Sequence, residues 1–210
     1  MKERISIGYV GLGRRGKDVL KYYFARMQDV DIKWLCDLEP DRLEKGKAIM
    51  SEEGREEPLL TQKYDDLLQD PELDAIVLVT GWDQRAALAE QSLYAGKYTA
   101  IEVGCAEKLE DCYRLIDAHE KTGVPLMMLE NSCYNRREMM LLNMVRQGLF
   151  GQLVHCTGAY AHYLNEVELF RDIDNGERPH YRLPHYINGC RENYPTHELC
   201  NDVFACRLRR

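Results

Sequence analysis

Three glycines in a fixed frame are the first residues with chemistry to offer. Gly11-Leu12-Gly13-Arg14-Arg15-Gly16 reads G-x-G-x-x-G and follows the apolar run from Ile5 to Val10 without a gap. In this frame the first glycine permits a tight turn and the second lets the backbone approach a pyrophosphate. The third lets a helix pack close to the strand. The helix that opens there turns unpaired N–H groups and the positive end of its dipole toward phosphate oxygens. Asp37 stands 21 residues after Gly16, at the end of a second strand pattern. An acid at that place accepts hydrogen bonds from the adenine-ribose hydroxyls and repels a 2′-phosphate. Arg14 and Arg15 pull toward NADP, but Asp37 outweighs them, so the expected cofactor is NAD. Its contacts are expected at Gly11, Gly13, Arg15, Gly16 and Asp37.

The elements that must position these groups alternate strand and helix. Ile5 to Val10, Asp31 to Cys36, Leu59 to Lys63, Asp74 to Thr80, Tyr98 to Val103 and Val124 to Leu129 read as strands. Arg14 to Met27, Pro40 to Met50, Asp83 to about Ala95, and Leu109 to Thr122 read as helices. Asp83 is read as the cap of the third, and Gly123 closes the last. Asp74-Ala-Ile-Val-Leu-Val-Thr80 is an unbroken apolar run of the kind a parallel sheet buries on both faces. The pattern predicts an α/β fold, a doubly wound parallel sheet of the Rossmann type over residues 1–131. Ligands of such sheets bind at the carboxyl ends of the strands. Trp82, Arg85, Glu102, Glu130 and Asn131 fall there and join the cofactor candidates; the plainer reading of Asn131 is a cap. Beyond it the character changes. Arg136 to Gln147 reads as a helix ended by Gly148, and Leu153 to His162 as a strand of a new sheet. The stretch from 163 to 197 is rich in Tyr, His, Arg, Asn and Pro, as a substrate-facing region or a surface loop would be.

The totals exclude some functions. The 28 basic and 35 acidic residues leave a net charge of −7, so bulk electrostatics favours neither nucleic acid nor an anionic membrane. No apolar run is long enough to span a bilayer, and the amino terminus enters a strand pattern at once, so a cytoplasmic protein is expected. The eight cysteines show no CxxC pair and read as free thiols rather than zinc ligands.

With the fingerprint, Asp37 and Tyr98-Thr-Ala-Ile-Glu-Val103 in view, the chain resembles the glucose–fructose oxidoreductase and inositol dehydrogenase (Gfo/Idh/MocA) superfamily. That superfamily joins a Rossmann domain to a second α/β domain with an open sheet. It usually places Glu-Lys-Pro at the end of the fifth strand, with the lysine near the reacting carbon. Counting back from the helix at Leu109-Glu110 puts Glu102-Val103-Gly104 there. Val103 therefore holds a cofactor-facing position without the lysine, which speaks against a standard sugar or polyol dehydrogenase.

A narrower set of segments is similar to glycoside hydrolase family 109. These are Glu130-Asn-Ser-Cys-Tyr-Asn-Arg-Arg-Glu-Met-Met140, Asn143 to Gly151, Gly158-Ala-Tyr-Ala-His162 and Asn193-Tyr-Pro-Thr-His-Glu-Leu199. That resemblance implies an NAD-dependent α-N-acetylgalactosaminidase acting on a small glycoside. Hydride leaves C3 of the sugar, the acidified C2 proton is removed, and the aglycone is eliminated; water then adds and C3 is reduced again. NAD-dependent glycosidases are exceptions to the usual two-carboxylate scheme. The resemblance implies Glu130 beside the nicotinamide, Tyr160 and His197 as acid and base, and Arg182 and Tyr194 as sugar contacts. His162, His180 and His185 read as surface or loop histidines, and Met139, Met140 and Met144 as inter-domain core.

The likeness stops at Leu199, where Cys200 and the segment to Arg210 depart from the family pattern. A C-terminal truncation or a shifted reading frame is expected, leaving an incomplete second α/β domain over 132–210. One strand and one helix cannot bury their own apolar faces, so either the remnant docks on the Rossmann domain or another chain covers it, and a homo-oligomer is expected from the unfinished sheet edge. A non-catalytic NAD-binding remnant is the third reading beside glycosidase and dehydrogenase.

Overall fold

The computed structural model describes residues 4–155, 157–161, 182–188 and 196–197. The chain divides into two compact units, Met1–Leu129 and Glu130–Arg210.

The first unit is a six-stranded, fully parallel sheet. Its strands are β1 (Ile5–Val10), β2 (Val30–Cys36), β3 (Leu59–Thr61), β4 (Ala75–Leu78), β5 (Tyr98–Ile101) and β6 (Leu126–Met128), in the order β3-β2-β1-β4-β5-β6. Five helices connect them: α1 (Arg14–Tyr22), α2 (Pro40–Glu52), α3 (Tyr64–Gln69), α4 (Trp82–Tyr94) and α5 (Leu109–Thr122). The order reverses between β1 and β4, which defines the switch point where ligands of such sheets bind.

Period-two alternation sorts the strand residues onto two cores. Ile7, Tyr9, Leu35 and Val77 pack with Leu20, Leu43 and Met50 of α1 and α2. Val10, Ile76, Leu78 and Ile101 pack with Leu67, Ala89 and Leu115 of α3, α4 and α5. The central strands are apolar on both faces because helices cover both faces.

Three local expectations change. The first helix ends at Tyr22, and a single 3-10 turn over Phe24–Arg26 follows it. A short helix, α3, occupies Tyr64–Gln69, where no element was expected. Asp83 does not cap α4: the helix opens one residue earlier, at Trp82, behind Gly81, with no side-chain cap.

In the second unit, a 3-10 turn at Ser132–Tyr134 leads into α6 (Arg136–Arg146), and a short helix, α7, spans Leu183–Ile187. The strand expected from Leu153 to His162 is not formed by its described residues, which have no strand partners. The described residues include no helix long and apolar enough to cross a membrane.

Candidate active site

In the first unit the three glycines do different work. Gly11 has φ +96°, and a Cβ there would lie 2.6 Å from the Val79 carbonyl oxygen. A Cβ on Gly16 would lie 2.0 Å from the Gly11 carbonyl oxygen, so helix and turn touch backbone to backbone. Gly13 differs: a Cβ there meets nothing within 4 Å. The fold itself does not require glycine at 13, whereas a ligand lying on the loop does.

Tyr9 supports the turn from below. Its hydroxyl donates to the Gly16 carbonyl at 2.7 Å. Burial holds the Tyr9 phenol well above its ordinary pKa, with the Glu102 carboxylate adding to the shift, so the donor stays protonated. A tyrosine inside an apolar first strand was the available signal for this role.

Asp37 is buried, and its Oδ2 accepts the Leu12 N–H at 2.6 Å. Its Oδ1 accepts the Glu39 N–H at 3.0 Å and lies 3.7 Å from Nη1 of Arg42. The acid therefore ties the glycine loop to the end of β2. The adjacent Cys36 thiol is pushed up to about 12, chiefly by burial and secondarily by the Asp37 charge.

The ends of β4 and β5 are joined by Arg85, which is 2% exposed. Its Nε donates to the Thr80 carbonyl at 2.7 Å, and its Nη1 donates to the carbonyls of Glu102, at 2.9 Å, and Val103. Glu102 in turn takes Arg15 of the glycine loop at 3.2 Å. Trp82 is buried, and its indole fills the space a side chain at Gly104 would need. Arg85, Trp82 and Val103 thus shape the backbone of the strand ends.

A dinucleotide fits this loop. It offers an open position at Gly13, a first helical turn without a side-chain cap, and an acid at the end of β2. Gly11, Gly13, Gly16 and the first turn of α1 would take the pyrophosphate, and Asp37 the adenine ribose.

In the second unit Glu130, Ser132, Tyr160 and His197 come together. Nδ1 of His197 lies 2.8 Å from Oε1 of Glu130 and 3.1 Å from the Ser132 hydroxyl. The Ser132 N–H donates to the same Oε1 at 2.6 Å. Glu130 is buried, and its Oε2 has no hydrogen-bond partner among the described residues. The Tyr160 ring packs on the His197 ring at a centroid distance of 4.5 Å. Neither the Glu130–His197 contact nor Ser132 was anticipated from the sequence. Asn131 is exposed and precedes the 3-10 turn, and Arg182 is half-buried at the start of α7. Tyr194, His162 and His180 lie outside the described residues.

Comparison with known proteins places both units. Residues 5–130 match the oxidoreductase family with an NAD-binding Rossmann fold, and the chain belongs to that family. Residues 134–205 match the C-terminal domain of glycosyl hydrolase 109, as the sequence segments implied. A glycosyl hydrolase family 109 protein of Shewanella pealeana is 33% identical over 201 residues, covering 94% of this chain and 43% of that protein. An α-N-acetylgalactosaminidase of Bacteroides fragilis is 33% identical over 198 residues, covering 93% of this chain and 46% of that protein. The chain thus spans less than half the length of these relatives. Among solved structures, the WlbA dehydrogenase of Bordetella pertussis, in complex with NADH and UDP-GlcNAcA, shares the fold. It has a TM-score of 0.64 and 24% identity, over 71% of this chain and 42% of that one. The scyllo-inositol dehydrogenase of Lactobacillus casei with NAD(H) and scyllo-inositol gives a TM-score of 0.63 at 22% identity, over 71% of this chain and 43% of that one.

Proposed function

We propose that this chain carries the cofactor domain and the acid/base centre of an NAD-dependent glycosidase of the α-N-acetylgalactosaminidase type. The observation that carries the reading is the Glu130–His197–Tyr160 cluster, held in the same chain as a dinucleotide loop.

When bound, NAD supplies a reversible hydride acceptor for C3 of the sugar. Asp37 favours NAD over NADP by its charge at the ribose. With C3 as a ketone, the C2 proton is acidic. Tyr160 and His197 remove that proton and protonate the leaving aglycone oxygen. Water then adds across the C1–C2 double bond, and the same pair returns the C2 proton. With the hydride finally returned to C3, the balance is hydrolysis of one glycosidic bond with no net oxidation. In this reading Glu130 orients the His197 ring through Nδ1, which lies 2.8 Å from its carboxylate. Among the described residues the second Glu130 oxygen has no hydrogen-bond partner, and in this reading it accepts from the sugar. Arg182 and Tyr194 hold the sugar in this reading. The chain works as a homo-oligomer, a reading supported by α6, which has no buried side chain and exposes Met139, Met140 and Leu141.

The test is hydrolysis of a chromogenic α-N-acetylgalactosaminide by protein stripped of nucleotide and then resupplied with NAD⁺. Activity that disappears and returns supports the reading, and activity indifferent to NAD⁺ contradicts it. Net NADH accumulation with a free sugar supports a dehydrogenase instead; apolar, buried Val103 stands against that alternative.

A further inference from the structure

The carboxylate that reads the adenine ribose does not stand alone. Arg42, three residues into α2, brings Nη1 to 3.7 Å from Asp37 Oδ1, and its side chain is 39% exposed while that of Asp37 is 6% exposed. Asp37 Oδ2 and Oδ1 are also engaged by the N–H groups of Leu12 and Glu39. An acid there repels a 2′-phosphate, and an arginine beside it accommodates one. A ribose held by Asp37 would therefore meet opposed charges side by side. The guanidinium is the more solvent-accessible partner, and it is tied to the acid only at the long end of ion-pair distance.

We propose that Arg42 is a second determinant of cofactor choice, supplying a cationic contact for a 2′-phosphate and so narrowing the preference for NAD⁺ over NADP⁺ that Asp37 sets. The inference rests on the dinucleotide reading of the glycine loop. Charge-assisted hydrogen bonds from a guanidinium to a phosphate are among the stronger polar contacts, so its removal is legible in affinity. The Asp37 carboxylate also holds the Leu12 amide, so its removal loosens the loop for both nucleotides. Selectivity, the ratio of the two affinities, separates charge reading from loop support.

The experiment is a calorimetric titration of the full chain with NAD⁺ and with NADP⁺, repeated for Arg42→Gln, Asp37→Asn and the double variant. Arg42→Gln is expected to weaken NADP⁺ about tenfold more than NAD⁺. Asp37→Asn is expected to shift the ratio toward NADP⁺, and adding Arg42→Gln to it is expected to reverse most of that shift. A ratio unchanged by Arg42→Gln in both backgrounds overturns this inference and leaves the dinucleotide reading intact. Failure of the unaltered chain to bind either nucleotide overturns both.

Discussion

His197 and Glu130 are 67 positions apart in the chain, and 2.8 Å separates Nδ1 of one from Oε1 of the other. The glutamate is the more deeply buried partner, and it also accepts the Ser132 amide, so it is anchored before it meets the imidazole. A carboxylate beside one ring nitrogen fixes the orientation of an imidazole.

Glu130→Gln retains the shape and loses the charge. The variant is expected to lower kcat about 10- to 100-fold, the usual cost of removing a partner that orients a working histidine. Steady-state kinetics on a chromogenic glycoside checks it. A kcat unchanged in Glu130→Gln contradicts the orienting role.

Arg85 is a cation buried to 2% exposure. Arg85→Met keeps bulk while leaving the carbonyls of Thr80, Glu102 and Val103 without this donor. A loss of about 2–4 kcal/mol is expected from several buried acceptors losing a charged partner. Urea unfolding measures it, and a change below about 0.5 kcal/mol, the size of an ordinary surface effect, refutes the assignment.

Asp70 makes stability depend on acid. Burial opposes its ionisation, but hydrogen bonds from Lys33, Trp34 and the Glu72 amide prevail and lower its pKa from 3.8 to about 2. A depressed folded-state value stabilises the fold above the unfolded value and loses that contribution as pH falls through the folded one. The window is therefore pH 4 down to 2, with a contribution on the order of 1–2 kcal/mol. Asp70→Asn is expected to lower Tm at pH 7 and to flatten its fall across that window. Equal acid sensitivity in both proteins contradicts the assignment.

Cys36, with its thiol held up to about 12, is expected to resist alkylation at pH 8 in the folded protein. Exposed Cys112 is expected to label within the same exposure. Peptide mass spectrometry after iodoacetamide treatment distinguishes them, and equal labelling contradicts the burial of Cys36.

Much of the first unit was legible because its signals are local. An apolar run, three glycines in frame and an acid after the second strand lie within 37 residues, and their meaning depends on neighbours in the chain. The start of α4 was misjudged because Asp83 has the right chemistry for a cap, yet Trp82 already belongs to the helix. The α3 helix is one and a half turns long and held by Leu67 in the core, a tertiary cause that periodicity does not register. The supposed strand from Leu153 was read from alternation alone, and alternation does not supply a pairing partner. Tyr160 and His197 were singled out through family resemblance. Their contact with Glu130 and Ser132 joins distant parts of the chain, and no spacing rule reaches that far.

Gly13 is where dinucleotide binding by the glycine loop separates from the needs of the fold. A Cβ there touches none of the described residues, and the Gly13 backbone has φ −61°, which alanine adopts readily. Gly13→Ala is therefore expected to keep Tm within about 2 °C while weakening NAD⁺ binding at least tenfold in a calorimetric titration. Retained stability with lost binding is the expected result. Undiminished NAD⁺ affinity in Gly13→Ala, or no binding by the unaltered chain, would contradict it.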